Sequence, residues 1–333
     1  MNTPASAPRL ERRGLAALPE LLIEASCHRV LVISGPSGRF MARLASALDG
    51  FEWQSFTDAR RHVPSALVER AAEAFDALGA DAVVSVGGGS ATGLAKALRR
   101  ERTFFFVAVP TTYAGSELTD LFGTTSDGGK RTGRDPRVIP DVAVYDLELT
   151  SAMPLETSIK SGMNALAHPV SALSTGTLGA AGTERALEAA ATMYGALIGL
   201  GRDSGDAVAR RAAIEGTIQA GVVLRTSALG LHHELAHALG GRFDLDHAGL
   251  HAALLPVSLI ELGRTAPATL ERLNNRLGEP ALAQRLLELS TAAGIPTSLA
   301  ALGVSREGLD ALLAERPHWP RALLEQAFAG HVG

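Results

Sequence analysis

Short β-branched runs alternate with amphipathic stretches through the first 150 residues of this 333-residue chain, and then the β-branched runs stop. Residues 30–34 (VLVIS), 82–86 (AVVSV), 104–109 (FFFVAV) and 142–145 (VAVY) read as buried strands. Helical stretches separate them, such as residues 64–79, with Pro64 near the start and Gly79 at the end. Continuously apolar strands alternating with helices predict a parallel sheet covered on both faces. Beyond residue 150 alanine and leucine dominate, and residues 183–200, 206–224, 280–293 and 308–314 keep helical periodicity. The pattern predicts an α/β domain over residues 1–150 and an all-helical domain over residues 151–333.

Charge and composition narrow the partners. The formal net charge is −4 with no basic block, so neither nucleic acid nor an anionic membrane is an expected partner. The single cysteine, Cys27, excludes an intramolecular disulfide framework and suits a reducing cytosol. The longest apolar run, near residues 252–262, contains Pro256 and Glu261 and is too short to cross a bilayer. The N-terminal segment has no continuous apolar core of a secretory signal. A cytoplasmic protein acting on a small molecule is the expectation.

Two glycine-rich turns follow strands. Residues 84–97 (VSVGGGSATGLAKA) run from a strand through Gly87, Gly88 and Gly89 into a helix, and Ser90 stands where it could cap that helix and donate to a phosphate. Gly35 opens the turn GPSG after the first strand. Such turns at the carboxyl ends of parallel strands are where an open α/β sheet takes a dinucleotide. A third loop, PTTYAGSELT (110–119), crowds the hydroxyls of Thr111, Thr112, Tyr113 and Ser116 after the next strand.

The second half carries an unusual histidine density: His232, His233, His237, His247 and His251 fall within twenty residues, half of the ten histidines of the chain. His233 and His237 are one helical turn apart on one face. Gly240-Gly241 is expected to break that helix, and Asp246-His247 to open another, so that imidazoles converge from two helix ends. Convergent imidazoles bind metals or move protons near neutral pH.

Together, HVPSALV (62–68), GADAVVSVGGGSATGLAKA (79–97), VPTTYAGSELT (109–119), GKRTGRDPRVIPDVAVYDLELT (129–150), SGMNALAHPVSAL (161–173) and HHELAHALGG (232–241) resemble the iron-containing alcohol dehydrogenase superfamily with its dehydroquinate synthase-like fold, and within it the maleylacetate reductases. The resemblance implies NADH or NADPH as cofactor, with Gly87, Gly88, Gly89 and Ser90 at the pyrophosphate and Thr111, Thr112, Tyr113 and Ser116 around the nicotinamide and its ribose. It implies reduction of a C=C bond beside a carbonyl in a dicarboxylate from aromatic-ring degradation, and a homodimer. Metal-dependent members hold their ion with an Asp and three His. The matching positions here are Asn164, His168, His233 and His247, so the carboxylate is lost and no catalytic metal is expected. His237 is then assigned beside nicotinamide and substrate, with His168, His233, His247 and Asn164 holding the enolate or a carboxylate.

Departures from the relatives bear on the substrate. Lys130 and Arg134, within a basic run also containing Arg131 and Arg137, are candidates to bind a substrate carboxylate, or belong to a solvated loop organised by Asp135. Glu234 stands where relatives carry lysine, and Ser171 where a glutamate is common. These changes leave open a second reading, a non-redox lyase, dehydratase or cyclase using the histidines for acid–base chemistry.

Overall fold

The computed structural model describes residues 7–126, 129–228 and 230–331. The chain forms two compact units, Met1–Met153 and Pro154–Gly333. The first contains β1 (Arg9–Glu11), α1 (Leu18–Glu24), β2 (Arg29–Ser34), α2 (Met41–Ala47), β3 (Glu52–Phe56), α3 (Ser65–Leu78), β4 (Ala82–Gly87), α4 (Gly89–Arg99), β5 (Phe105–Pro110), β6 (Leu121–Ser126), β7 (Gly129–Arg134), β8 (Val142–Val144) and α5 (Leu147–Ser151).

Six strands pair in parallel in the order β1-β8-β5-β4-β2-β3. Alternate side chains of these apolar strands serve two cores. Leu31, Ile33, Val83 and Phe106 pack on one face with Leu67, Ala71 and Phe75 of α3 and Leu94 of α4. Val30, Val32, Val84 and Val107 pack on the other with Leu18, Leu21 and Leu22 of α1 and Leu44 of α2. The chain leaves β2 toward β3 on one side and returns to β4 on the other, so the strand order reverses between β2 and β4, the place where open α/β sheets form a crevice.

Two strands, β1 and β3, carry too much charge to resemble buried strands; they are the sheet edges, where charge discourages further pairing. The basic segment is not a loop. Residues 129–134 form β7, antiparallel to β6, with Thr132 opposite Gly123 and Arg134 opposite Leu121.

The second unit is helical: α6 (Leu155–Ser174), α7 (Ala180–Arg202), α8 (Ala207–Thr226), α9 (Leu231–Phe243), α10 (His247–Thr265), α11 (Pro267–Leu277), α12 (Leu282–Ala292), α13 (Arg306–Glu315) and α14 (Arg321–Ala329). Leu235 and Leu239 of α9, Leu250 and Leu254 of α10, Leu312 of α13, Leu324 of α14 and Trp319, which precedes α14, share one core. The expected break at Gly240-Gly241 does not occur. The helix runs through both glycines and ends when Asp244 turns left-handed at φ 49°. A Cβ at Gly240 would make an ordinary contact with Leu250 at 3.5 Å and one at Gly241 would meet nothing within 4 Å, so packing does not require glycine at either position and neither glycine stops the helix. Asp246 does open α10, accepting from the Gly249 amide. No helix among the described residues is long and apolar enough to cross a membrane.

Candidate active site

In the first unit, a cavity of about 220 Å³ opens at the carboxyl ends of β2, β4 and β5. Gly35, Gly87, Gly88, Gly89, Ser90 and Thr111 line it, and Ser37 and Arg39 stand on its wall; none of its lining residues is acidic. The backbone dictates glycine here. Gly87 has φ +151°, and a Cβ on it would lie 3.0 Å from that of Ala91. A Cβ on Gly88 would lie 3.1 Å from the Thr112 hydroxyl, whereas one on Gly89 meets nothing within 4 Å. The space over Gly89 lies at the start of α4, whose unpaired amides and positive dipole end attract an anion. Gly88 is the residue preceding that helix, and no side chain caps it; Ser90 sits inside the first turn and is not the cap its position suggested. The cradle fits the pyrophosphate of a nicotinamide dinucleotide.

The hydroxyl loop after β5 divides. Thr111 and Tyr113 are buried, while Thr112 and Ser116 are partly accessible. What holds this loop escaped the sequence reading. Lys96 of α4 is buried, and its ammonium donates to the carbonyls of Ser116 (2.6 Å), Thr119 (2.7 Å) and Leu121 (3.0 Å) and to the Thr119 hydroxyl (3.1 Å). Burial pushes the lysine down to about 7, opposed by the charges of Glu117 and Asp120. Glu117 is itself buried, raised above the usual carboxylate range by desolvation, and accepts from the Tyr145 hydroxyl at 2.8 Å. A lysine inside an alanine-rich helix carries no local sign that four oxygens await it.

Arg134 lies on β7, where Asp120 pairs with its guanidinium at 2.7 Å. The Lys130 side chain lies outside the described residues. Asp135 accepts from the Arg137 amide and guanidinium, the organising role expected of it.

In the second unit, six histidines form one connected cluster. His168 of α6 and His233 of α9 face each other, Nδ1 to Nε2 at 3.0 Å, with ring centroids 5.2 Å apart. His251 stacks obliquely at 5.2 Å from His233 and 4.9 Å from His232. His247 lies edge-on to His251 at 4.4 Å and 6.1 Å from His237. His168, His233, His237 and His247 are thus gathered, and His232 and His251, whose roles spacing alone left unassigned, join them. Burial is the main force on their charge: it holds His232 down to about 3 and His233 and His251 well below the usual imidazole range. Asn164 lies one turn before His168, buried, and its side-chain oxygen has no protein partner; neither has Nδ1 of His233.

These residues do not fit a divalent cation as arranged. Nε2 of His233 is turned to His168 and Nε2 of His247 to His251, and Asn164 contributes no charge. Among the described residues no three His, Cys, Asp or Glu side chains converge as a metal site would require. Glu234, the anion that replaces the relatives' lysine, accepts from the Trp319 indole at 2.8 Å, with His318 3.7 Å away. Ser171 uses its hydroxyl to accept from the Gly230 amide at 3.0 Å, tying α6 to the start of α9. A larger open groove of about 580 Å³ along α11, bordered by Leu270 and Asn274, has neither glycine cradle nor histidine.

The profile of the iron-containing alcohol dehydrogenases matches residues 9–147, and that of the C-terminal region of the Fe-containing alcohol dehydrogenase family matches residues 158–317. The chain belongs to this family. With the family goes the activity class, and the chain is an oxidoreductase. It is 40% identical to the maleylacetate reductase of Rhizobium sp. (strain MTP-10005), over 91% of this chain and 90% of that one. The crystal structure of maleylacetate reductase from that strain superposes with a TM-score of 0.87 at 37% identity, covering 99% and 97% of the two chains. A putative alcohol dehydrogenase from Ralstonia eutropha JMP134 gives a TM-score of 0.92 at 33% identity, covering 99% and 98%. These relatives favour the reductase reading over the non-redox alternative.

Proposed function

We propose that this chain is an NAD(P)H-dependent reductase of the maleylacetate reductase type, working without a catalytic metal. Its substrate is a small carboxylated molecule with a C=C bond conjugated to a carbonyl, as arises in aromatic-compound catabolism. The first unit binds the dinucleotide and the helical unit supplies the substrate and acid–base groups. The observation that carries the reading is the pairing of an intact glycine cradle with a histidine cluster that has Asn164 in place of the metal-binding carboxylate.

When bound, the nicotinamide supplies the hydride, which goes to the β carbon of the enone. Charge then develops on the carbonyl oxygen, and a proton must reach the α carbon. Gly87, Gly88, Gly89, Ser90 and Gly35 bind the pyrophosphate, and Thr111, Thr112, Tyr113 and Ser116 orient the nicotinamide end. Neutral imidazole N–H groups of His168 and His233, with the Asn164 amide, stabilise the enolate oxygen and the substrate carboxylate, the function a Lewis acid performs in metal-dependent relatives, and His247 serves the same site as a hydrogen-bond acceptor. His237 delivers the proton. Arg134 and Lys130 contribute positive potential to an anionic substrate. Nothing in this scheme needs a cation, since a conjugated C=C is already polarised toward hydride. A cytoplasmic homodimer is the form in which we expect it to act.

The test is direct. NADH and NADPH are titrated into the purified protein by nicotinamide fluorescence, then maleylacetate is added and absorbance at 340 nm followed with and without EDTA. Binding with EDTA-insensitive oxidation is expected. Failure to bind either nucleotide sinks the reductase reading; loss of turnover in EDTA sinks its metal-independent part.

A further inference from the structure

Four polar groups of the second unit form a single file, and the chemistry above uses only its last member, His247. Ser258 of α10 approaches Nδ1 of His232 at 2.8 Å, Nε2 of His232 approaches Nδ1 of His251 at 2.7 Å, and Nε2 of His251 approaches Nε2 of His247 at 3.2 Å. The direction of every bond in this file is determined at one end. The Ser258 oxygen lies 2.8 Å from the Leu254 carbonyl one turn earlier, and a carbonyl has no hydrogen, so the serine proton must be in that bond. The serine oxygen can then only accept from His232.

The rest follows by exclusion. His232 and His251 are 3% and 0% exposed, and their ring partners are a hydroxyl and other imidazoles rather than a carboxylate, so each is a neutral imidazole with one N–H. His232 donates from Nδ1 to Ser258, so its Nε2 is a bare acceptor. His251 must donate to it from Nδ1, so its own Nε2 is bare. That nitrogen faces Nε2 of His247, which must carry the hydrogen. We infer that Ser258 is a positioning residue that sets, through His232 and His251, the tautomer of His247: Nε2–H directed into the protein and Nδ1 left as a hydrogen-bond acceptor.

Every donor in the file points from His247 toward the Leu254 carbonyl, and bonds aligned head to tail polarise one another. In this tautomer Nε2 of His247 holds a proton and has no lone pair for a cation. To supply one at Nε2, the file would have to reverse at His251, His232 and Ser258 together, and the serine would have to abandon Leu254. The file thus withholds Nε2 of His247, at a metal-ligand position, while Nδ1 keeps its lone pair. The catalytic consequence rests on the function proposed above; the tautomer itself does not.

Long-range ¹H–¹⁵N spectra of protein labelled with ¹⁵N-histidine distinguish Nδ1–H from Nε2–H directly. The wild type is expected to show Nδ1–H at His232 and His251 and Nε2–H at His247. Ser258→Ala removes the fixed acceptor and is expected to convert His247 to a mixture and to lower kcat with maleylacetate about tenfold, with NADH affinity unchanged. Ser258→Thr, which keeps the hydroxyl, restores both. A wild type with Nε2 of His247 unprotonated overturns the inference, as does Ser258→Ala with spectrum and kcat unaltered. Should Ser258→Ala not fold, the wild-type and Ser258→Thr spectra decide it. A protein with the stated tautomers that does not reduce maleylacetate would upset the functional reading while leaving the tautomer assignment standing.

Discussion

Replacing Gly89 by alanine separates binding from folding more cleanly than any other change in the cradle. A Cβ at this position meets no protein atom within 4 Å, and its backbone lies outside the left-handed region. It is also the first residue of α4, where alanine is favoured over glycine by up to about 1 kcal/mol. The apoprotein should therefore be as stable as the wild type or slightly more so. The new methyl instead occupies the space through which a pyrophosphate approaches the α4 amides. Losing one hydrogen bond to a charged oxygen, at roughly 1.5–3 kcal/mol, weakens binding by about ten- to 150-fold. Urea denaturation and nicotinamide fluorescence titration, run on the same preparation, should move in opposite directions. Gly88→Ala is the contrast, since its Cβ would press on Thr112 at 3.1 Å and should cost stability as well as affinity. NADH affinity within twofold of wild type in Gly89→Ala would refute the assignment of the cradle to the pyrophosphate.

Other perturbations test the supports around the site. Lys96→Met removes the hydrogen bonds that the lysine gives to the carbonyls of Ser116, Thr119 and Leu121 and to the Thr119 hydroxyl, and should destabilise the protein by about 3–5 kcal/mol after the relief of a buried charge is subtracted, with weaker NADH binding; an unchanged urea midpoint would contradict it. The buried neutral histidines make the protein acid-sensitive. His232 is held at about 3 against 6.5 when unfolded, so the unfolded chain binds more protons between those values; stability is full above about pH 6.5 and falls toward pH 3 by up to about 1.4 kcal/mol per pH unit per histidine. His233 and His251 shift the same way, and a urea midpoint that is constant between pH 7 and pH 5 would argue against all three. Glu234→Gln keeps an acceptor for the Trp319 indole and should leave kcat within twofold; a large loss would place the carboxylate in the chemistry.

The strands that build the core of the sheet are legible because burial on both faces demands unbroken apolar runs, as in VLVIS and AVVSV. The edge strands RLE and EWQSF are not, since an edge tolerates charge and no local pattern separates them from loops. The segment GKRTGR fails for a related reason: its antiparallel pairing with LFGTTS comes from backbone hydrogen bonds, not from apolar side chains. Gly240-Gly241 misleads because glycine lowers helix propensity without forbidding a helix, and packing of Leu235 and Leu239 against Leu250 carries α9 through both. Ser258 was within reach. His247, His251 and Ser258 are four and seven residues apart, a spacing that puts all three on one stripe of a helix.

By itself the sequence determined the two-part architecture, the glycine turn that admits a phosphate, and the set of histidines with Asn164 among them, because each rests on residue type and short spacing along the chain. Tertiary structure alone decided what those residues do to one another. It brought His168 of α6 to His233 of α9, turned Glu234 to Trp319, gave Lys96 its four oxygens, and oriented a file of hydrogen bonds from Ser258 to His247. Hydrogen-bond direction and desolvation depend on what surrounds an atom in three dimensions, and residues as many as 85 positions apart supply those surroundings here.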